Sequence, residues 1–248
     1  MLRLRVGIGA TAGTVIASRR IGRGGYVRLE AGTASHTGRI RTSNQDSVGL
    51  VDGLYVVADG MGGHRGGEVA SAEAVAAMLA VFDRRDRAGL VAAVRSANRT
   101  ILEKTVTRPD LSGMGTTLCA LAVVSSASGD EVLAVANIGD SRVYRFAAGE
   151  LVQVSDDHSL VADLMRAGEL TAEEAARHPQ RNILTRALGI EADPVIDSWE
   201  LEPALGDRYL LCSDGLFNEL DDGRLAEVLA AGSVQETADR LVDEAVEN

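Results

Sequence analysis

Apolar residues recur along this chain with two different spacings, and the change from one spacing to the other predicts the order of strands and helices. Residues 53–59 form a continuous apolar run, Gly-Leu-Tyr-Val-Val-Ala-Asp, and such a run next to glycine is typical of a buried strand. In residues 65–82, by contrast, Val69, Val75 and Leu79 recur at helical spacing. Residues 90–106 show the same spacing, so a pair of helices is predicted after the buried strand.

The remainder of the chain consists of short predicted strands and helices separated by turn-rich segments. Sequential strands joined by tight turns favour antiparallel sheets, and an inserted helix pair favours a helical layer over one sheet. The pattern therefore predicts an α+β fold. Strands are predicted at residues 27–36, 46–51, 53–59, 116–124, 131–138, 142–146, 150–154, 194–201 and 207–212, and helices at 65–82, 90–106, 159–167, 171–178, 221–230 and 234–246.

Residues 1–26 fall outside this pattern. Residues 6–17 are rich in glycine and alanine and only weakly hydrophobic, and Arg19, Arg20 and Arg23 follow them. We interpret residues 1–26 as an N-terminal leader that is mobile, and residues 27–248 as a single domain. A membrane span is not predicted, because no run of 18 or more apolar residues occurs.

Composition and charge restrict the possible partners of this domain. The chain has 248 residues, of which 46% are hydrophobic, and a formal net charge of −11. A surface this acidic repels phosphate backbones, so nucleic acid is not an expected partner. Cys119 and Cys212 both lie in apolar runs, which fits buried residues in a reducing cytoplasm better than a disulfide. Neither begins a Cys-x5-Arg loop, which argues against a cysteine-dependent phosphatase.

Four aspartates lie at or beside the ends of predicted strands: Asp46, Asp59, Asp140 and Asp214. Three of them are next to a glycine, which allows a sharp turn and a close approach of the backbone to a ligand. Carboxylates grouped by a fold, with few histidines nearby, favour hard cations such as Mg²⁺ or Mn²⁺. Because Asp-Gly is also a common turn pair, the spacing alone leaves both a metal site and a set of turn residues open.

The segments around these aspartates resemble motifs of the metal-dependent protein phosphatases, also called type 2C phosphatases, in their bacterial branch. The motifs occur in the family's order and extend from about residue 29 to the end of the chain. They are Arg-x-x-Asn-x-Asp at residues 41–46, Asp-Gly-Met-Gly-Gly-His at 59–64, Gly-Thr-Thr at 115–117, Gly-Asp-Ser-Arg at 139–142 and Ser-Asp-Gly-Leu at 213–216. Residues 157–159 and 184–189 are also similar to the bacterial branch.

The resemblance implies a four-layer α-β-β-α sandwich, in which two antiparallel sheets are flanked by helices. It also implies two catalytic Mn²⁺ or Mg²⁺ ions and a weaker third ion. The roles that it implies are a bridge between both ions for Asp59, a second-ion ligand for the Gly60 carbonyl, a first-ion ligand for Asp214, retention of metal-bound water for Asp46, a third-ion ligand for Asp140 and substrate-phosphate binding for Arg41. Residues 158–189 would form a flap segment beside the cleft.

The function implied by the resemblance is hydrolysis of phosphoserine and phosphothreonine in proteins by a metal-activated water. Its expected partners are phosphorylated proteins, including Ser/Thr kinases, and the chain is expected to act as a cytoplasmic monomer. Some positions depart from the family pattern. Gln45 replaces a glutamate, Met61 stands where some members have a histidine, and Asn218 stands where some have a third-metal aspartate. For His64, a structural role in its glycine loop competes with proton transfer.

Two alternatives to a general phosphatase stay open from the sequence. One is a phosphatase dedicated to a single regulator, such as an anti-sigma-factor antagonist. The other is a catalytically impaired module that binds phosphoproteins. The second alternative is tied to the C-terminus: family members continue beyond the position of Asn248 with a closing strand and a last metal-binding aspartate. We therefore expect this chain to lack that strand and ligand.

Overall fold

The computed structural model describes residues 13–21, 26–39, 43–62 and 65–248. Its helices are α1 (Gly66–Val81), α2 (Arg87–Thr107), α3 (Leu160–Arg166), α4 (Ala172–Ala176), α5 (Asp214–Phe217), α6 (Asp222–Leu229) and α7 (Val234–Glu247), with one 3-10 turn at Pro109–Leu111. Its strands are β1 (Gly13–Ile21), β2 (Tyr26–Ala34), β3 (Asp46–Val51), β4 (Leu54–Met61), β5 (Gly115–Thr116), β6 (Leu118–Ser125), β7 (Glu131–Ile138), β8 (Arg142–Ala147), β9 (Glu150–Gln153), β10 (Asp197–Leu201) and β11 (Arg208–Cys212).

The strands form two sheets in which every described pairing is antiparallel. One sheet has five strands in the order β2-β1-β11-β8-β9, and the other has the order β10-β7-β6-β4-β3 with β5 paired to β4. The predicted hairpin is present as β8 and β9, joined at Ala147 and Glu150. Antiparallel order follows from the short turns between consecutive strands, which cannot connect parallel neighbours.

Three apolar clusters show that the two sheets stack face to face between helical layers. Alternate residues of β4 point to opposite faces: Leu54 and Val56 pack with α1 and α2, whereas Tyr55 and Val57 pack between the sheets. On the outer face of the five-stranded sheet, Leu210 and its neighbours pack against the last three helices. The predicted α-β-β-α sandwich is therefore confirmed.

Local sequence explains where helices α2 and α7 begin. The Asp86 side chain caps α2 by accepting a 2.6 Å hydrogen bond from the Gly89 amide. Ser233 and Glu236 form a reciprocal capping box at the start of α7. No helix among the described residues is both long enough and apolar enough to cross a membrane.

Residues 13–21 lie within the segment interpreted above as a mobile leader, and in the structure they form strand β1. Strand β1 lies inside the five-stranded sheet, where Val15 is opposite both Gly32 of β2 and Leu210 of β11. The local pattern misses this strand because its sequence, Gly-Thr-Val-Ile-Ala-Ser-Arg-Arg-Ile, lacks a regular alternation of apolar and polar residues. Strand formation depends strongly on neighbouring strands, which such a pattern does not include. The boundary of the catalytic domain stays a prediction.

Candidate metal centre and active site

Asp46 and Asp59 face each other in the ladder between β3 and β4, at the end of that hairpin away from its turn. Burial raises the pKa of Asp59 well above its usual value, and the nearby charges of Asp46, Asp214 and Asp140 raise it further. A hydrogen bond with the Asp46 side chain acts in the same direction. The structure therefore brings the four predicted aspartates into one electrostatic cluster.

Gly60 follows Asp59 at a place where no side chain fits. A Cβ built on Gly60 would lie 1.9 Å from the Gly67 carbonyl oxygen, at the first turn of α1. The Gly60 amide donates a 3.0 Å hydrogen bond to the carbonyl oxygen of Gln45. Glycine is thus required here for close packing of the end of β4 against both the start of α1 and the residue before β3.

Two threonines of the Gly-Thr-Thr motif fix the backbone of Asp59. Its amide donates to Thr117 Oγ1 at 2.9 Å, and its carbonyl oxygen accepts from the Thr117 amide at 2.9 Å and from Thr116 Oγ1 at 2.8 Å. Thr117 Oγ1 also lies 2.6 Å from Ser141 Oγ, next to Asp140. The motif is recognisable in the sequence, but the role of its hydroxyl groups is visible only in the structure.

Asp140 lies in the turn between β7 and β8, directly after Gly139. Gly139 adopts a φ of 99°, in the region that favours glycine, and a Cβ there would come within 2.6 Å of Thr117. Burial raises the pKa of Asp140 to about 8, with further contributions from the charges of Asp214 and Asp157. Like Asp59, this carboxyl therefore favours a bound positive charge, either a proton or a cation.

Asp214 is the first residue of α5, a short helix that the sequence analysis missed because four residues carry no measurable periodicity. Its Oδ2 accepts a 3.3 Å hydrogen bond from the Asn218 side chain, the residue that departs from the third-metal aspartate of some relatives. Asn218 is exposed and neutral, so it adds no charge to the cluster.

The donors in the cluster suit a hard cation with several water ligands. Carboxylate and carbonyl oxygens are the groups that Mg²⁺ and Mn²⁺ prefer. Within the described ranges, no three acidic, histidine or cysteine side chains form a complete ligand set by themselves. Mg²⁺ binds through only one or two carboxylates and keeps several waters, so the residues present fit such an ion. Arg41 and His64, for which the sequence predicts roles here, lie outside the described residues.

Arg142, the last residue of the Gly-Asp-Ser-Arg motif, stabilises the turn that contains Asp140. Its guanidinium donates 2.7 Å and 3.0 Å hydrogen bonds to the Asp157 carboxylate and one of 2.8 Å to the Tyr144 hydroxyl. The same group lies 3.7 Å from the ring centroid of Phe217 in α5. Arg142 thus links the Asp140 turn to the helix that begins with Asp214. The sequence signal for it was the motif alone.

The proteins that this chain is similar to include two serine/threonine phosphatases and a solved structure of PstP. Serine/threonine protein phosphatase PstP of Mycobacterium tuberculosis is 41% identical over 220 residues, covering 87% of this chain and 41% of PstP. Serine/threonine phosphatase stp of Listeria welshimeri is 37% identical over 224 residues, covering 84% of this chain and 86% of that protein. A crystal structure of the PstP catalytic domain in complex with two manganese ions has a TM-score of 0.74 and 37% identity, covering 96% of this chain and 93% of that one. The match thus spans less than half of the length of PstP.

Fold and cluster together define a two-sheet sandwich protein with grouped aspartates at one end of its sheets. The sequence model of the family described as Protein phosphatase 2C matches residues 35–247. This chain belongs to that family, and the predicted membership of the type 2C phosphatase family is confirmed. The roles of the individual site residues stay predictions.

Proposed function

We propose that this chain hydrolyses phosphoserine and phosphothreonine in proteins, with Mn²⁺ or Mg²⁺ held by the aspartate cluster. The observation that carries the proposal is the mutual electrostatic coupling of Asp46, Asp59, Asp140 and Asp214 in a chain of the protein phosphatase 2C family. When bound, the cations supply a water of lowered pKa and positive charge beside the phosphoryl oxygens. A cysteine nucleophile is not needed, and burial raises the pKa of both Cys119 and Cys212, which disfavours the reactive thiolate.

Each residue of the cluster has its own proposed role in metal binding. Asp59 and the Gly60 carbonyl would hold the two catalytic ions, Asp214 would contribute to the first ion, and Asp46 would orient metal-bound water. Asp140 and Asp214 would hold a third, weaker ion. The backbone of Asp59 supports this division. Its amide donates to Thr117 Oγ1 and its carbonyl oxygen accepts from the Thr117 amide and from Thr116 Oγ1, which fixes the backbone that carries the Asp59 carboxyl.

A metal-dependence experiment tests the proposal. Turnover of p-nitrophenyl phosphate and of a phosphothreonine peptide should require Mn²⁺ or Mg²⁺ and stop in excess EDTA. Asp59→Asn should lose activity on both substrates, whereas Asp52→Asn should not. Asp52 is a matched control because it makes the same change at the exposed, opposite end of β4. Undiminished turnover in EDTA would contradict the proposed chemistry.

Arg41 is proposed to bind the substrate phosphate through its planar fork of donors. Arg41→Ala should therefore raise KM more than it lowers kcat, since the reaction itself depends on the metal-bound water. Steady-state kinetics on the phosphothreonine peptide measure both constants. An unchanged KM with a large loss of kcat would instead assign Arg41 to the chemical step.

The substrates proposed are phosphorylated proteins, including Ser/Thr kinases, and the chain is proposed to act as a monomer in the cytoplasm. Two buried free cysteines agree with a reducing compartment, and the net charge of −11 disfavours nucleic acid. The two alternatives, a phosphatase for one regulator and an impaired binding module, are not favoured, because the relatives are named as serine/threonine phosphatases.

A further inference from the structure

One buried histidine is hydrogen-bonded to both backbone groups, N–H and C=O, of Gly139, the residue directly before Asp140. The Gly139 amide donates a 3.1 Å hydrogen bond to His158 Nδ1, and the Gly139 carbonyl oxygen accepts a 3.0 Å hydrogen bond from the His158 amide. The His158 side chain is only 2% exposed. The mechanism proposed above gives this histidine no part, and its position 19 residues from Gly139 in sequence makes the contact a tertiary one.

The contacts of the His158 ring determine its tautomer. Because Nδ1 accepts from Gly139, the proton lies on Nε2, which donates to Asp197 Oδ2 at 2.9 Å. Arg186 Nη1 lies 3.1 Å from Nε2, but two donors cannot form a hydrogen bond with each other. Arg186 Nη1 therefore donates to Asp197 Oδ1 instead, at 3.0 Å. Burial lowers the pKa of His158, which agrees with a neutral ring. Asp197, fixed by Arg186, thus keeps Nδ1 free to accept.

His158 also lies at the base of the flap segment (residues 158–189), where the two ends of that segment meet. The His158 carbonyl oxygen accepts a 2.9 Å hydrogen bond from the Thr185 amide, and Ser159 forms a bridge with Leu184. Arg186, which fixes Asp197, belongs to the returning end of the same segment. Any displacement of this base therefore moves both the ring and the arginine that orients it.

We propose that His158 is a positioning residue, which couples the position of the flap segment to that of Asp140 through the backbone of Gly139. Asp197 and Arg186 orient the His158 ring for this role. The Gly139 carbonyl oxygen also accepts a 3.3 Å hydrogen bond from Asn137 Nδ2, so Gly139 is tied to the end of β7 as well as to the flap segment. The orientation of the Asp140 carboxyl, and with it the third-ion site, therefore depends on a hydrogen bond made by the flap segment. This last consequence rests on the proposed function, whereas the mechanical link does not.

Amide hydrogen exchange of Gly139, measured by NMR in the metal-free protein, tests the link directly. In His158→Gln the longer side chain can still donate to Asp197 but loses the acceptor for Gly139, so exchange should become about tenfold faster or more. In His158→Asn the amide oxygen takes the place of Nδ1, so protection should largely remain. Asp197→Ala should speed exchange of Gly139 although Asp197 does not touch it, because the ring loses its orientation.

A matched control separates this link from general loosening of the flap segment. Thr171→Ala removes the capping box of α4, inside the flap segment but away from its base. It should speed exchange within α4 and leave Gly139 unchanged. Equal Gly139 exchange in wild type and His158→Gln would overturn the proposal, and so would unchanged exchange in Asp197→Ala. If His158→Gln does not fold, Asp197→Ala and His158→Asn still decide the question.

Metal titration then connects the link to the site. The Mn²⁺ concentration for half-maximal turnover should rise several-fold in His158→Gln and less in His158→Asn, with a smaller change in KM for p-nitrophenyl phosphate. Calorimetry should show the same weakening at a single site. If Gly139 exchange responds as expected but no variant hydrolyses phosphate with any metal, the proposed function fails and the mechanical link stands. If exchange does not respond but metal-dependent turnover is normal, the link fails alone.

Discussion

The Asp59 end of β4 and the Asp140 turn carry carboxyls of the same cluster, but the protein holds them in different ways. Asp59 lies within a sheet ladder and is fixed by backbone partners in β3 and by the hydroxyls of Thr116 and Thr117. Asp140 lies in a turn that is held from outside the sheets by His158. The comparison teaches that one carboxyl is fixed by the core of the fold, whereas the other depends on a peripheral segment that can be displaced at smaller cost.

The largest expected difference between the two regions is in catalytic activity. Asp59→Asn should reduce kcat by about 100-fold or more, because it removes charge beside both catalytic ions. Asp140→Ala should reduce turnover much less at saturating Mn²⁺, since it removes a ligand of the weaker ion only. Initial rates with p-nitrophenyl phosphate across a Mn²⁺ series measure both. An inactive Asp140→Ala beside a nearly normal Asp59→Asn would reverse the assignment.

The next largest expected difference between the two regions is in thermal stability. Thr117→Val deprives the Asp59 amide and Ser141 of a buried partner, which costs about 1–3 kcal/mol. For a domain of this size each kcal/mol lowers Tm by about 2–4 °C. Ser141→Ala leaves the Asp59–Thr117 hydrogen bond in place and should lower Tm less. Calorimetric melting of the two variants checks the order, and a larger loss in Ser141→Ala would contradict it.

A third expected effect is proton release when metal binds to the aspartate cluster. Burial raises the pKa of Asp140 to about 8, so the metal-free protein retains a proton there near neutral pH, which a bound cation must displace; the raised pKa of Asp59 acts in the same direction. Mn²⁺ titrations in buffers of different ionisation enthalpy should therefore show net proton release at pH 7. Asp140→Asn should decrease the number of protons released, whereas the exposed Asp52→Asn should not. Metal binding without net proton release at pH 7 would contradict this expectation, because it would show that the carboxyl groups are already ionised.

The smallest expected effect is a slope of stability with pH in the metal-free protein. A carboxyl whose pKa is about 8 when folded, against about 4 when unfolded, binds more protons in the folded state across that range. Stability should therefore fall as pH rises from 7 to 8.5. His158 acts oppositely, since its lowered pKa adds stability as pH rises, but only up to about 6.5. Melting in EDTA should show the decline, and Asp140→Asn should flatten it; a Tm that rises over this window would contradict the assignment.

The sequence predicted most of the fold because the strands of its centre are hydrophobic on both faces. Leu54, Val56 and their neighbours are typical of a buried strand, and the two long helices after them carried apolar residues at helical spacing. Strand β1 was missed because its pairing with β2 and β11 is non-local. For the site, strand-end aspartates beside glycine were visible in the sequence. The contact of His158 with Gly139 was not, because no local pattern reveals a hydrogen bond between residues 19 positions apart.

Strand β4 also has a consequence for anyone who wishes to redesign this domain. Its residues Leu54, Val56, Val57 and Ala58 are each 0% exposed, because they alternate between the helical side and the inter-sheet side. A substitution library over this strand would have to satisfy two different packing environments at once, with no solvent-facing position at which to vary residues freely. Transplanting the aspartate cluster to another scaffold would therefore require β4 together with both layers that cover it, rather than the catalytic loops alone.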